Sequence, residues 1–98
     1  CGDLCLESLA ELLKLLANEQ RLLILCALMH GRRNVSEIHK HTPNITASAL
    51  SQHLHLLKTA GVLSSEKQGM NVSYLISDAR VIALIESIKQ QYCTEDTP

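Results

Sequence analysis

Apolar positions recur at helical spacing along most of the chain and switch to strict alternation only once. Leu6, Leu9, Leu13 and Leu16 make one helical stripe between Leu4 and Ala17, and Leu12 and Leu15 widen it. Asn18 can cap a second helix, with Glu19 favourably placed in its first turn. In that helix Leu22, Leu23, Ile24, Leu25, Cys26, Leu28 and Met29 are apolar nearly all round, which predicts a helix buried on every side. Gly31 ends it. Ser36-Glu37-Ile38 reads as the cap and start of a short third helix, stopped by Pro43 and Asn44. Thr46 then caps a fourth helix from about Ala47 to Ala60, closed by Gly61.

The gap between the third and fourth helices, Thr42 to Ile45, has helix-turn-helix spacing. Past Gly61 the period becomes two. Leu63–Gln68 and Asn71–Ile76 read as strands joined at Gly69, a two-stranded hairpin. Ser77 or Asp78 caps a last helix carrying Val81, Ile82, Leu84, Ile85, Ile88 and Tyr92. The first and last helices show more apolar surface than one protomer can cover, which predicts a second subunit against them. The fold expected is mainly α with a small β-hairpin: one winged helix-turn-helix domain over residues 1–98, with the hairpin as the wing.

Composition narrows this without changing it. Hydrophobic residues make up 46% and charged residues 19%, which excludes a disordered or low-complexity chain. Phe and Trp are absent, so the core must come from Leu, Ile, Val and Ala. The longest apolar run, Leu22–Met29, falls well short of the ~20 residues a membrane span needs. The opening residues carry Asp3, Glu7 and Glu11 and do not read as a signal peptide, so a cytoplasmic location is expected. With no initiator Met the chain reads as trimmed, and an export signal ahead of Cys1 stays open.

Net charge is −1, a poor figure for a nucleic-acid binder, but its distribution is uneven. Residues 1–30 carry two basic against four acidic side chains, residues 31–67 five against two, and residues 68–98 two against four. The basic middle coincides with the helix-turn-helix and the wing and points to an anionic partner. A recognition helix must present short polar side chains at its N-terminal half to base edges in the major groove. Ser48, Ser51 and Gln52 fit, and Gln52 can pair bidentately with adenine. Ala47 can touch a thymine methyl, and His55 can reach phosphate or base. Lys58, Lys67, Arg32 and Arg33 would neutralise phosphates, which positions the protein without reading sequence. The competing reading is an ordinary solvated helix face. His53 points inward by periodicity and reads as a core histidine.

Four stretches stand out: Leu16-Ala17-Asn18-Glu19-Gln20-Arg21-Leu22, Ser48-Ala49-Leu50-Ser51-Gln52-His53-Leu54 with Leu57, Ala60-Gly61-Val62, and Lys67-Gln68-Gly69 leading to Tyr74. Through them the chain, from about Leu13 to Cys93, resembles the ArsR/SmtB family of bacterial winged-helix repressors. The resemblance implies a homodimer joined by its first and last helices, bound to an inverted-repeat operator that is repressed without inducer. It also implies an effector site. One family metal site uses Asp-x-His on the last helix. Here Asp78 is followed by Arg80 at the His position, with Gln91 and Thr94 where later ligands would fall. Another uses Cys-x-Cys at the third helix, where this chain has Asn34-Val35-Ser36. Both are lost, and no cofactor is expected. Cys26 and Cys93 look like the cysteine pair of the thiol-switch branch, the BigR/HlyU-like regulators, which respond to reactive sulfur species or oxidants by bridging the two thiols.

Read without the resemblance, Cys26 is as readily a small core hydrophobe and Cys93 a chance residue near a terminus. A bridge needs Cα atoms within about 7 Å, a distance the sequence does not supply. Cys1 and Cys5 would share a helix face. They read first as frayed terminal residues, with a metal- or arsenite-sensing repressor of the same fold as the alternative. His39 with His41 and His53 with His55 are two apart, a spacing that does not converge on a helix. A protein-interaction winged helix that binds no DNA is the remaining rival, and an enzyme is not expected.

Overall fold

The helices form where capping, periodicity and stop signals coincide. The computed structural model describes residues 3–92, with side chains over residues 6–91. Its elements are α1 (Asp3–Leu16), α2 (Glu19–Leu28), β1 (Arg33–Asn34), α3 (Val35–His39), α4 (Ala47–Thr59), β2 (Leu63–Gln68), β3 (Asn71–Ile76) and α5 (Ala79–Tyr92). Asn18 caps α2 by accepting from the N–H groups of Gln20 and Arg21 at 2.9 and 3.2 Å. Thr46 caps α4 through Ala49 N–H at 3.1 Å. Asp78, rather than Ser77, caps α5 by accepting from Arg80 N–H at 3.0 Å.

The start of α3 differs from the reading at Ser36. Its cap is Asn34, two residues earlier. Asn34 accepts from Glu37 N–H at 2.8 Å, and Glu37 accepts from Asn34 N–H at 2.9 Å, a reciprocal capping box. Asn34 can do this because it also ends β1, whose extended backbone presents the cap in the right geometry.

The end of α4 is built by two residues. Gly61 takes a left-handed φ of 85° and donates to Lys58 carbonyl at 3.0 Å. Val62 N–H then returns to Leu57 carbonyl at 3.0 Å. This is a Schellman closure, and Val62 buries against the core beside Leu57. The chain is thereby turned directly into β2. The wing hairpin keeps the expected strands, in register from Leu63↔Ile76 to Gln68↔Asn71. Gly69 has φ 63°, and Met70 has no positive φ, so the two-residue loop places its left-handed residue first. β1 adds a third strand, in order β1-β3-β2, with Arg33 opposite Tyr74. Two residues are too few to show alternation, which is why the sequence reads as two strands only.

The core is aliphatic: Leu16, Ile24, Leu25, Leu28, Ile38, Leu50, Leu54, Leu57, Val62, Leu63, Ile76, Val81 and Ile85. It draws on all five helices and on the wing strands. The expectation of a fully buried α2 is corrected. Ile24, Leu25, Ala27 and Leu28 face the core, but Leu22 and Leu23 stay 41% and 36% exposed, with Cys26 and Met29 half-buried. The α1 stripe is likewise split. Leu12, Leu15 and Leu16 turn toward the protomer, while Leu6, Leu9 and Leu13 remain exposed. On α5, Val81 and Ile85 are buried and Ile88 is exposed. Each outer helix thus has one packed edge and one apolar edge left open within the protomer. No helix among the described residues is long and apolar enough to cross a membrane.

Candidate nucleic-acid interface

α4 has two sides with separate tasks. Leu50, Leu54 and Leu57 are 0–1% exposed and lock the helix into the core. Ala47, Ser48, Ser51, Gln52, His55 and Lys58 are all exposed. They lie on the opposite side, as 3.6-residue periodicity requires once Leu50 and Leu54 are buried. The exposed face begins at the helix N-terminus, where Thr46 holds the first turn and no acidic side chain is present. Short polar side chains on a rigidly seated helix are what base readout needs.

The turn leading into α4 is held from within. His39 Nε2 donates to the carbonyl of Ile45 at 2.8 Å across the turn, and Thr42 within the turn is buried. Nothing local in the sequence marks this role of His39, because the bond spans the turn.

The basic side chains differ in freedom. Lys58 and Lys67 are exposed and make no ion pair among the described residues. Arg32 is exposed but pairs with Glu66 of the wing. Arg33 is half-buried, and its Nε donates to the carbonyl of Ala27 at 2.9 Å, closing the end of α2. A cleft between β1, α3 and the wing is lined by Arg32, Arg33, Asn34, Glu37, Gln68 and Asn71. It carries both charge signs.

Cys26 is a free, half-buried thiol on the outer side of α2. One turn further along, Met29 and His30 line an open cleft with Glu86, Lys89 and Gln90 of α5. Cys93 lies outside the described residues, as does Cys1, and the side chain of Cys5 is likewise not described. Asp78 is engaged by Arg80, which grips both carboxylate oxygens at 3.1 and 3.0 Å. The guanidinium and backbone N–H of Arg80 hold that carboxyl below its ordinary range. No cluster of three metal-binding side chains occurs among the described residues.

His53 is half-buried on the flank of α4 and does not join the core that the periodicity predicts for it; its Nδ1 accepts from Arg21 Nε at 3.3 Å. Burial first, and the Arg21 charge second, push its pKa below 6.5. Neither residue could be paired with the other from sequence, since 32 positions separate them.

The chain matches the bacterial regulatory protein, arsR family, over residues 18–65, which takes in α2 through the first residues of the wing. It is 40% identical over 82 residues to the transcriptional activator HlyU of Vibrio cholerae, covering 84% of this chain and 75% of that protein. A solved HlyU structure superposes with a TM-score of 0.87 at 36% identity, covering 94% of this chain and 99% of that one. A second, described as reduced HlyU, gives 0.81 at 38% identity, covering 89% and 90%. The transcriptional repressor BigR of Xylella fastidiosa gives 0.83 at 26% identity, covering 89% and 88%. A possible ArsR-family regulator of Mycobacterium bovis, solved as a homodimeric winged helix-turn-helix DNA-binding domain, gives 0.76 at 29% identity, covering 97% and 93%. With its capped recognition helix, its wing and these relatives, the chain belongs to the arsR family of bacterial transcriptional regulators, a DNA-binding and non-enzymatic family.

Proposed function

We propose that the protein is a homodimeric repressor that reads an inverted-repeat operator with α4 and releases it when Cys26 and Cys93 are modified or bridged. The observation that carries the DNA reading is the two-sided α4: three leucines seat it, and its polar face is left to solvent at a capped N-terminus. Ser48, Ser51 and Gln52 read bases, Ala47 packs on a thymine methyl and His55 reaches the backbone or a base edge. Lys58 and Lys67 neutralise phosphates, joined by Arg32 once it leaves Glu66 and by the part of Arg33 not committed to Ala27. Dimerisation is supported by the open apolar edges of α1 and α5 and by the homodimeric relative. The protein acts in the cytoplasm, where bacterial DNA is.

Gln52→Ala is expected to weaken binding by about 1–3 kcal/mol and to relax the base preference at one position per half-site. Lys58→Ala is expected to weaken binding evenly across sequences and to flatten the salt dependence by about one unit of slope. Both are read by fluorescence anisotropy on a duplex that the protein selects from a random-sequence pool. Identical behaviour of the two variants would remove the division between reading and anchoring.

The switch reading is supported by the cleft between Met29, His30 and the last turns of α5, which sets the helix leading to Cys93 beside the turn of α2 that follows Cys26. A relative has been described in a reduced state. A sulfane-sulfur donor converts one thiolate to a persulfide. The other thiolate attacks its inner sulfur and expels hydrosulfide, so two thiols are oxidised and one sulfur is reduced. The bridge pulls α5 toward α2. Because α5 belongs to the subunit interface, the two recognition helices leave the spacing of successive major grooves. Treated protein is expected to bind the selected duplex about 5–150-fold more weakly than reduced protein, with Cys93→Ser unresponsive. Mass spectrometry should show residues 26 and 93 linked and count the sulfur atoms between them. Equal affinity before and after treatment ends the switch proposal and leaves DNA binding standing.

A further inference from the structure

Arg21 reaches in two directions. Its Nη1 donates to the main-chain carbonyl of Leu15 at 2.9 Å, in the last turn of α1. Its Nε donates to His53 Nδ1 on the inner flank of α4. One side chain on α2 therefore ties the first helix to the recognition helix, beside Gln52. The donor fixes the imidazole's form. A guanidinium keeps its protons and has no lone pair, so Nδ1 must be the unprotonated nitrogen. The side chains beside it offer no counter-charge. On α4 the neighbours of His53 at helical spacing are Ala49, Leu50, Leu56 and Leu57, all apolar. From α2 it faces Arg21, whose other arm donates to the Leu15 carbonyl of α1. Among the described residues Arg21 is the one charged group acting on His53, and neither partner forms an ion pair with a carboxylate.

We propose that Arg21 is a positioning residue for the recognition helix, and that its bond to unprotonated His53 makes DNA affinity sensitive to protons. Protonating Nδ1 sets one N–H against another and places two cations in contact. The strut then opens, α4 loses its tie to α1 and α2, and Ser51 and Gln52 lose their fixed presentation. The direction of the effect follows from burial. An imidazole whose pKa in the fold lies below its unfolded value of about 6.5 contributes stability above that value. The contribution is lost as pH falls through the folded value. The proposal rests on α4 entering the groove.

Lowering the pH also makes the chain as a whole more positive, which strengthens phosphate attraction generally. The informative quantity is therefore a ratio. The affinity of the full chain for its pool-selected duplex is measured by anisotropy at fixed salt, at about pH 8 and about pH 5.5, on either side of the ordinary imidazole value. The same is done for His53→Gln, whose amide oxygen can accept from Arg21 but does not titrate. Wild type is expected to weaken about fivefold relative to His53→Gln over this range. A purely structural role would change affinity by one factor at every pH, so a constant ratio overturns the proposal. Should His53→Gln fail to fold, an NMR titration of wild type decides. The His53 ring and the amides of Ala47 to Gln52 should share one midpoint below pH 6.5, and independent midpoints overturn the strut. Gln52→Ala is run alongside. A loss of affinity there with a constant wild-type ratio rejects the strut alone, whereas no loss rejects the groove reading and the strut together.

Discussion

Replacing Leu13 with Glu is expected to split the dimer while leaving the protomer folded. Leu13 is 45% exposed on the outer edge of α1, beside Leu6 and Leu9, so its side chain contributes little to the protomer's core. In a two-fold interface each substitution appears twice, and each carboxylate must be desolvated against the partner's leucines. The protomer keeps its recognition helix but loses the second one held at fixed spacing. Without that linkage the second half-site no longer binds at a high effective concentration, and affinity for a two-half-site duplex should fall by about 10²–10⁴-fold. Analytical ultracentrifugation should report a monomer, and circular dichroism an unchanged helix content. A variant that stays dimeric with undiminished affinity would place the subunit interface elsewhere. Leu9→Glu, one turn away and 44% exposed, should behave the same way.

Leu54→Ala is expected to have the largest effect on stability. Leu54 is 1% exposed and sits between Leu50 and Leu57 at the centre of the seat that holds α4. Truncating a buried leucine removes transfer energy and leaves a cavity, a combined cost of about 2–5 kcal/mol. For a domain of this size each kcal/mol is about 4–8 °C of melting temperature, so a drop of at least ~8 °C is expected. The measurement is denaturant unfolding at fixed protein concentration, because dimer formation itself adds stability. Leu56→Ala, on the same helix but 41% exposed, is the comparison and should cost less than about 1 kcal/mol. Equal losses at the two positions would show that α4 is seated by some other face.

How much of this was legible beforehand varies with the range of the interaction. The caps at Asn18 and Thr46, the stop at Gly61 and both wing strands were readable because each depends on residues within a few positions of one another. The polar face of α4 was readable for the same reason, since periodicity places Ser48, Ser51 and Gln52 opposite Leu50 and Leu54. The cap of α3 falls at Asn34 rather than Ser36: the capping-box spacing of Asn34 and Glu37 is in the sequence, but a two-residue β1 leaves no pattern there and Ser36 offers a competing start. The all-round apolar pattern of α2 predicts full burial, yet Leu22 and Leu23 stay exposed. A helix apolar all round must be covered everywhere, but the order in which faces are covered is set by the packing of separate elements.

The pattern of apolar and polar residues, by itself, determined the helices, the wing and the exposed polar face of α4, since these follow from backbone propensity and local spacing. Only the tertiary structure decided which edge of α1 and α2 faces inward and that Arg32 is held by Glu66. It alone made Arg21 the link between Leu15 and His53. Those facts depend on how distant segments pack, and packing is selected by the fit of whole surfaces, which no short stretch of chain encodes.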